Sequence, residues 1–270
     1  ATVNLQADIP AGTTLTLTNA ATVDLAGNVD VKTNNGALNV FSSVTAINLS
    51  GADGTTNTIV GKGDALVRLA NITDTNNPNL TVSSEGNLTL EGASLGSGTH
   101  SFTADSDNDT VATLLVSGAL SGGAVTLSGG TTANDTIDLN ADVTAATSLT
   151  IKNASTVDLT DDVDLTANNG NLSVVTNVTG ILLSGGAGTN IFKANGDGSI
   201  TLANITDSNN PNVTISAQGD VTLNGFDLGT GTVSVTSDSD DDGTTTLAVN
   251  GSTLTSDGSV TLSGGGTAAN

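Results

Sequence analysis

The sequence predicts an all-β fold, a right-handed parallel β-solenoid, and three observations point to it. Apolar residues recur at every second position in short bursts, clusters of Gly, Asn, Asp and Ser separate the bursts, and the whole chain is written twice. Period two is the signature of a strand with one buried face, and the polar clusters carry turn chemistry. Self-similarity over a long period marks a repeat architecture.

The bursts come in order along the chain: Val23 and Leu25, Leu38 and Val40, Leu88 and Leu90, Val125 and Leu127, then Val157 and Leu159, Val221 and Leu223, Val260 and Leu262. The residues between them are Thr, Asp and Asn, which face outward. No stretch carries a helical period. Strands of four to six residues therefore arrive roughly every ten positions.

The two copies are plain on alignment. NITDTNNPN (71–79) answers to NITDSNNPN (204–212), LTVSSEGNLTLEGASLGSGT (80–99) to VTISAQGDVTLNGFDLGTGT (213–232), and ATVDLAGNVDVKTNNGALNV (21–40) to STVDLTDDVDLTANNGNLSV (155–174). The repeat units are 1–134 and 135–270. Ala1-Thr2-Val3 takes the place of Asp135-Thr136-Ile137, and Ala133-Asn134 that of Ala269-Asn270, a phasing expected of two units from a longer array. Length differences between the copies fall in Gly-rich segments and interrupt no burst. Inward positions stay aliphatic, as in Leu80 to Val213, Val82 to Ile215 and Leu88 to Val221, while Glu91 on the outward side becomes Asn224. At about 22 residues per coil, each copy makes about six coils.

The competing architecture is a pair of tandem β-sandwich, Ig-like domains. A sandwich core is about 10 Å thick and draws on aromatics to fill it. With four Phe and no Trp or Tyr, the chain is better suited to a narrow solenoid core filled by aliphatics. The repeated NITDxNNPN phrase then reads as a structural corner. Asn and Asp tolerate left-handed backbone and bond their own turns, and Pro is barred from a central strand.

Composition excludes several function classes. Formal charge is −22, from 27 acids against five bases, and every acid except Glu85 and Glu91 is Asp. Lys32, Lys62, Arg68, Lys152 and Lys193 stand singly, so there is no basic footprint for nucleic acid. An anionic membrane surface would repel the chain, and runs such as VATLLV (111–116) are too short to span a bilayer. Cysteine is absent, as suits a chain exported unfolded, though cytosolic proteins share the trait.

Catalysis is not expected. In the aligned copies His100 faces Val233, Arg68 faces Thr201, Lys62 faces Asn195 and Lys193 faces Val60, so no base recurs, and general acid–base work needs such groups to converge. Glycan stacking lacks Trp and Tyr. Calcium is the one cofactor with a candidate motif. TSDSDDDG (236–243) sets Asp238, Asp240 and Asp242 at alternate positions before Gly243, and the first copy has Asp105, Asp107 and Asp109 followed by Thr110. Such spacing gathers hard oxygens, but Val249 occupies the place of an EF-hand's bidentate Glu. The same aspartates also suit a solvated acidic turn. Sequons such as Asn71-Ile72-Thr73 and Asn204-Ile205-Thr206 arise readily in a chain this rich in Asn, Ser and Thr.

GNLTLEGASLGSG (86–98), GDVTLNGFDLGTG (219–231) and SVTLSGGG (259–266), with the Val/Leu/Thr/Gly/Asn bias throughout, resemble filamentous haemagglutinin-like adhesins and related autotransporter passengers. The resemblance implies a right-handed parallel β-helix on a bacterial surface, outside the cell. The expected role is a non-enzymatic stalk, fibre or filament of an adhesin. Its expected partners are further copies of the repeat, in the same polypeptide or head to tail.

Overall fold

The computed structural model describes residues 1–40, 43–131, 134–160, 162–251 and 254–265. Ala133, Ala269 and Asn270 of the repeat comparison, and Gly266 of SVTLSGGG, lie outside the described residues. The chain divides into two compact units, Ala1–Ile137 and Asp138–Asn270. Among the described residues every element of regular structure is a β-strand, and no helix is long and apolar enough to cross a membrane.

In the first unit three parallel sheets build up side by side. The first begins with Thr2–Leu5, Thr22–Leu25 and Ala46–Leu49, the second with Ile9–Ala11, Asp30–Thr33 and Thr56–Gly61, and the third with Leu15–Thr16, Leu38–Val40 and Val67–Leu69. Each strand pairs with the strand three further on, never with its sequence neighbour. Chain-adjacent strands thus occupy different sheets, and three strands with three corners make one coil. This is a β-solenoid, and it overturns the sandwich alternative, whose sheets would be antiparallel and joined by hairpins. Coil length varies with the corners: Val3, Val23, Ile47, Ile72, Ala93 and Leu120 stack in register, in steps of 20, 24, 25, 21 and 27 residues.

The second unit repeats the arrangement. Its sheets start at Val143–Ala145, Leu149–Lys152 and Ala154–Leu159, and hold six, five and five described strands. Alternation decides what goes inside each coil. In Thr22–Leu25, Val23 and Leu25 are buried while Thr22 and Asp24 are half-buried, and the same rhythm runs through Thr136–Leu139 and Val233–Thr236.

The core is not purely aliphatic. Phe102, Phe192 and Phe226 are fully buried. Each stacks between smaller side chains in register: Phe102 between Val82 and Leu127, Phe192 between Leu165 and Ile215, and Phe226 between Ile205 and Leu254. Burying one such ring contributes about 1.5–3 kcal/mol, and a coil makes room for it by keeping aliphatics above and below.

Candidate functional site

Two corners carry polar groups that recur in both units and bear on function. The first is the repeated phrase. In the first unit its opening residues form the strand Ile72–Asp74, and Thr75–Pro78 turn the chain into Asn79–Ser84. The acceptor side chains reach the coil that follows. Gly96 N–H donates to Asp74 Oδ2 (2.8 Å), Ser97 N–H to Asn77 Oδ1 (3.0 Å) and Thr99 N–H to Asn79 Oδ1 (2.8 Å). Toward the preceding coil, Thr75 N–H donates to the Leu49 carbonyl (3.2 Å) and Asn76 Nδ2 to that of Ser50 (3.3 Å).

The second unit repeats this clip residue for residue. Gly229 N–H donates to Asp207 Oδ1 and Oδ2 (both 3.2 Å), Thr230 N–H to Asn210 Oδ1 (2.8 Å) and Thr232 N–H to Asn212 Oδ1 (2.8 Å), while Asn209 Nδ2 reaches back to the Ser184 carbonyl (2.8 Å). Asn77 and Asn210 hold φ of 56° and 58°, the left-handed region Asn tolerates. The facing glycines leave the space: a Cβ on Gly96 would lie 1.8 Å from Asn77 Oδ1, and one on Gly229 1.9 Å from Asn210 Oδ1. The corner cannot continue the β-ladder, so side chains supply the acceptors that its backbone N–H groups need.

The second corner is acidic. It lies where the chain passes from Asn79–Ser84 to Leu88–Leu90, and in the neighbouring coils from Thr56–Gly61 to Val67–Leu69 and from Thr99–Thr103 to Thr113–Val116. Carboxylate oxygens of Asp64, Asp107 and Asp109 lie within 4.8 Å of one another, as do those of Asp197, Asp240 and Asp242 in the second unit. All six residues are exposed.

The predicted ligands therefore divide. Asp107 with Asp109, and Asp240 with Asp242, come together as the spacing suggests. Asp105 and Asp238 do not join them in these triads. Both are fully buried, with φ of 43° and 53°. Asp109 N–H donates to Asp105 Oδ1 (3.2 Å), and Asp242 and Gly243 N–H donate to Asp238 Oδ1 (3.2 and 3.3 Å), so these two aspartates shape the loop. The third place in each triad belongs to Asp64 or Asp197, from a corner 43 residues upstream of Asp107 or Asp240. Sequence reasoning missed both, although the Gly-Asp pairs 63–64 and 196–197 recur between the copies.

Crowding of like charge leaves its mark on the titration of these groups. Asp242 is pushed up first by repulsion from Asp240, with loss of hydration and the charges of Asp197 and Asp238 adding to it. Lost hydration is the leading cause for Asp107 and Asp109, followed by repulsion from Asp109 and from Asp64 respectively. Such a triad can receive a hard cation through oxygen.

Elsewhere Arg68, Lys62 and Lys32 each stand beside one acid. Arg68 Nε and Nη2 both donate to Glu91 Oε1 (2.9 and 2.6 Å), beside an open groove lined by Val44, Thr45, Ala70 and Asn71. Lys32 pairs with Asp30 (2.6 Å). The chain's one histidine is sunk in the core. No protein-family model, curated protein or solved structure matches this chain.

Proposed function

We propose that this chain is a non-enzymatic structural segment of an extracellular bacterial surface adhesin or fibre, working as a stalk or filament by coil stacking. The observation that carries the reading is the clip. The most faithfully repeated polar residues hold the backbone of the next coil, which is how a chain invests its side chains when cohesion between coils is the task. Each coil also needs a neighbour to cover its inward residues. Val260 and Leu262 are 41 and 45% exposed, whereas Val125 and Leu127, at the same repeat positions, are 1 and 0% exposed. The surface around Val260 suits another coil of the same kind, so the partner is a further copy of the repeat, in one polypeptide or head to tail.

Assembly tests this directly. Held at rising concentration, the two-unit chain should lengthen into linear particles by light scattering and negative-stain microscopy, and Val260→Asp should keep it monomeric. A wild-type chain that stays monomeric at high concentration would remove head-to-tail assembly from the account. Calcium binding at the acidic corner is a second reading, favoured by the same carboxylate triad in both units. There the ion would be an accessory that relieves repulsion.

A further inference from the structure

The two units differ chemically along one inward column of the repeat. In the first unit Asn57, Leu80, His100 and Val125 stack in register; in the second Asn190, Val213, Val233 and Val260 stack at the equivalent repeat positions. His100 is fully buried between Leu80 and Val125, with its ring close against Gly122, where an added Cβ would lie 2.6 Å from Cδ2. Its Nε2 lies 3.4 Å from the Gly96 carbonyl, which makes that nitrogen the N–H donor of the neutral ring. Nδ1 is buried without a hydrogen-bond partner. A second proton can go only onto Nδ1, where it would be a charged donor facing no acceptor.

We propose that His100 is an acid-sensitive latch: proton uptake at Nδ1 expels the ring from the core and opens the coil containing Thr99–Thr103, loosening the clip at Gly96 and Ser97, while the second unit, with Val233 in this place, stays closed. The groups around the ring set the response. Leu80, Val125 and Gly122 bring no charge from the elements packed on it, and Asp74, whose carboxylate binds Gly96 N–H, is the charged group that acts on it. Burial holds the imidazole below its ordinary value of 6.5, with the Gly96 carbonyl and Asp74 opposing. Folded protein thus takes up this proton less readily than unfolded chain. The column's stability is complete above pH 6.5 and is lost as pH falls from there toward the folded value.

The experiment uses the two-unit chain as it stands. Because there is one histidine, its ring protons give a single set of NMR signals that can be titrated without assignment. Amide exchange, corrected for the intrinsic pH dependence, is followed in both units from pH 7.5 to 4.5. The ring should titrate below 6.5, and the amides of Ser97 and Ser101 should lose protection relative to those of Thr230 and Ser234. The expected loss is about tenfold for each pH unit by which the ring's midpoint lies below 6.5. His100→Val, which writes the second unit's residue into the first, should abolish the difference. A ring that titrates at or above 6.5, or equal acid loss in both units, overturns the proposal. The wild-type titration decides the matter even if the variant does not fold.

Discussion

Replacing Asn77 separates the two jobs that the clip gives one residue. Its Oδ1 accepts the Ser97 N–H at 3.0 Å, and its backbone holds φ at 56°. Asn77→Ala loses the hydrogen bond, at about 1 kcal/mol, and places a Cβ-bearing residue without Asn's local bonding in left-handed backbone, at about 1 kcal/mol more. Asn77→Gly loses the same bond but is at ease with that φ, so it should cost only about 1 kcal/mol. Asn77→Asp keeps an acceptor and should be nearly neutral.

The reporter is the Thr99 amide, whose own acceptor, Asn79 Oδ1, is untouched by these changes. Native-state hydrogen exchange reads local opening, which suits a repeat protein better than one global midpoint. A cost of 2 kcal/mol should speed Thr99 exchange about thirtyfold in the Ala variant, and 1 kcal/mol about fivefold in the Gly variant. Asn210, at φ 58° with Thr230 N–H at 2.8 Å, is an internal replicate read at Thr232. Equal rates for Ala and Gly would show that left-handed backbone is not part of the cost, and unchanged rates in both would refute the clip as a source of cohesion.

The acidic corner yields two further expectations. Millimolar calcium added to metal-free protein should raise its melting temperature, by the equivalent of about 2.7 kcal/mol at a hundred times Kd, and Asp107→Asn with Asp240→Asn should remove the rise; an unaltered wild-type curve leaves only a solvated acidic turn. Without calcium, Asp242→Asn should stabilise the second unit at pH 7 and have no effect near pH 3. The sign follows from the raised folded value of Asp242: the folded corner prefers the protonated acid, so its contribution is complete below 3.8 and is lost as pH rises through the folded value. Urea titrations of both proteins at the two pH values measure the difference.

What was legible in the sequence was whatever repeats at period two. Alternation at Val23 and Leu25 or Val221 and Leu223 marks strands because burial alternates with the pleat, and comparing the copies puts the corners in the Gly- and Asn-rich segments. Contacts between coils were not legible. Steps that vary between 20 and 27 residues leave no fixed spacing that would bring Asp64 to Asp107, or His100 into line with Leu80 and Val125. The D-x-D-x-D pattern shows only one of the two corners for a related reason. It sets three carboxylates of one loop at alternate positions, whereas Asp238 sits where the strand has ended, turns into left-handed backbone and directs its carboxylate at the loop's own N–H groups.

The same contacts explain which polar residues recur between the copies and which drift. Asn77 cannot change freely, because the Ser97 N–H needs its oxygen and Gly96 leaves room for it; Gly96 cannot change, because a Cβ there would strike that oxygen. Each holds the other through the backbone of a different coil, so the phrase and the Gly-x-Gly string that follows it travel together. Arg68 and Glu91 are also neighbours across coils, paired side chain to side chain on the outward side at 2.6 Å. In the second copy they have become Thr201 and Asn224, both at once. A surface pair of this kind contributes about 0–1 kcal/mol, and its joint replacement leaves no backbone group without an acceptor. The clip residues that serve backbone have thus been kept in both copies, whereas this pair, whose members serve each other, has not. That is why a polar nine-residue phrase can be among the best-kept parts of a protein whose core is aliphatic.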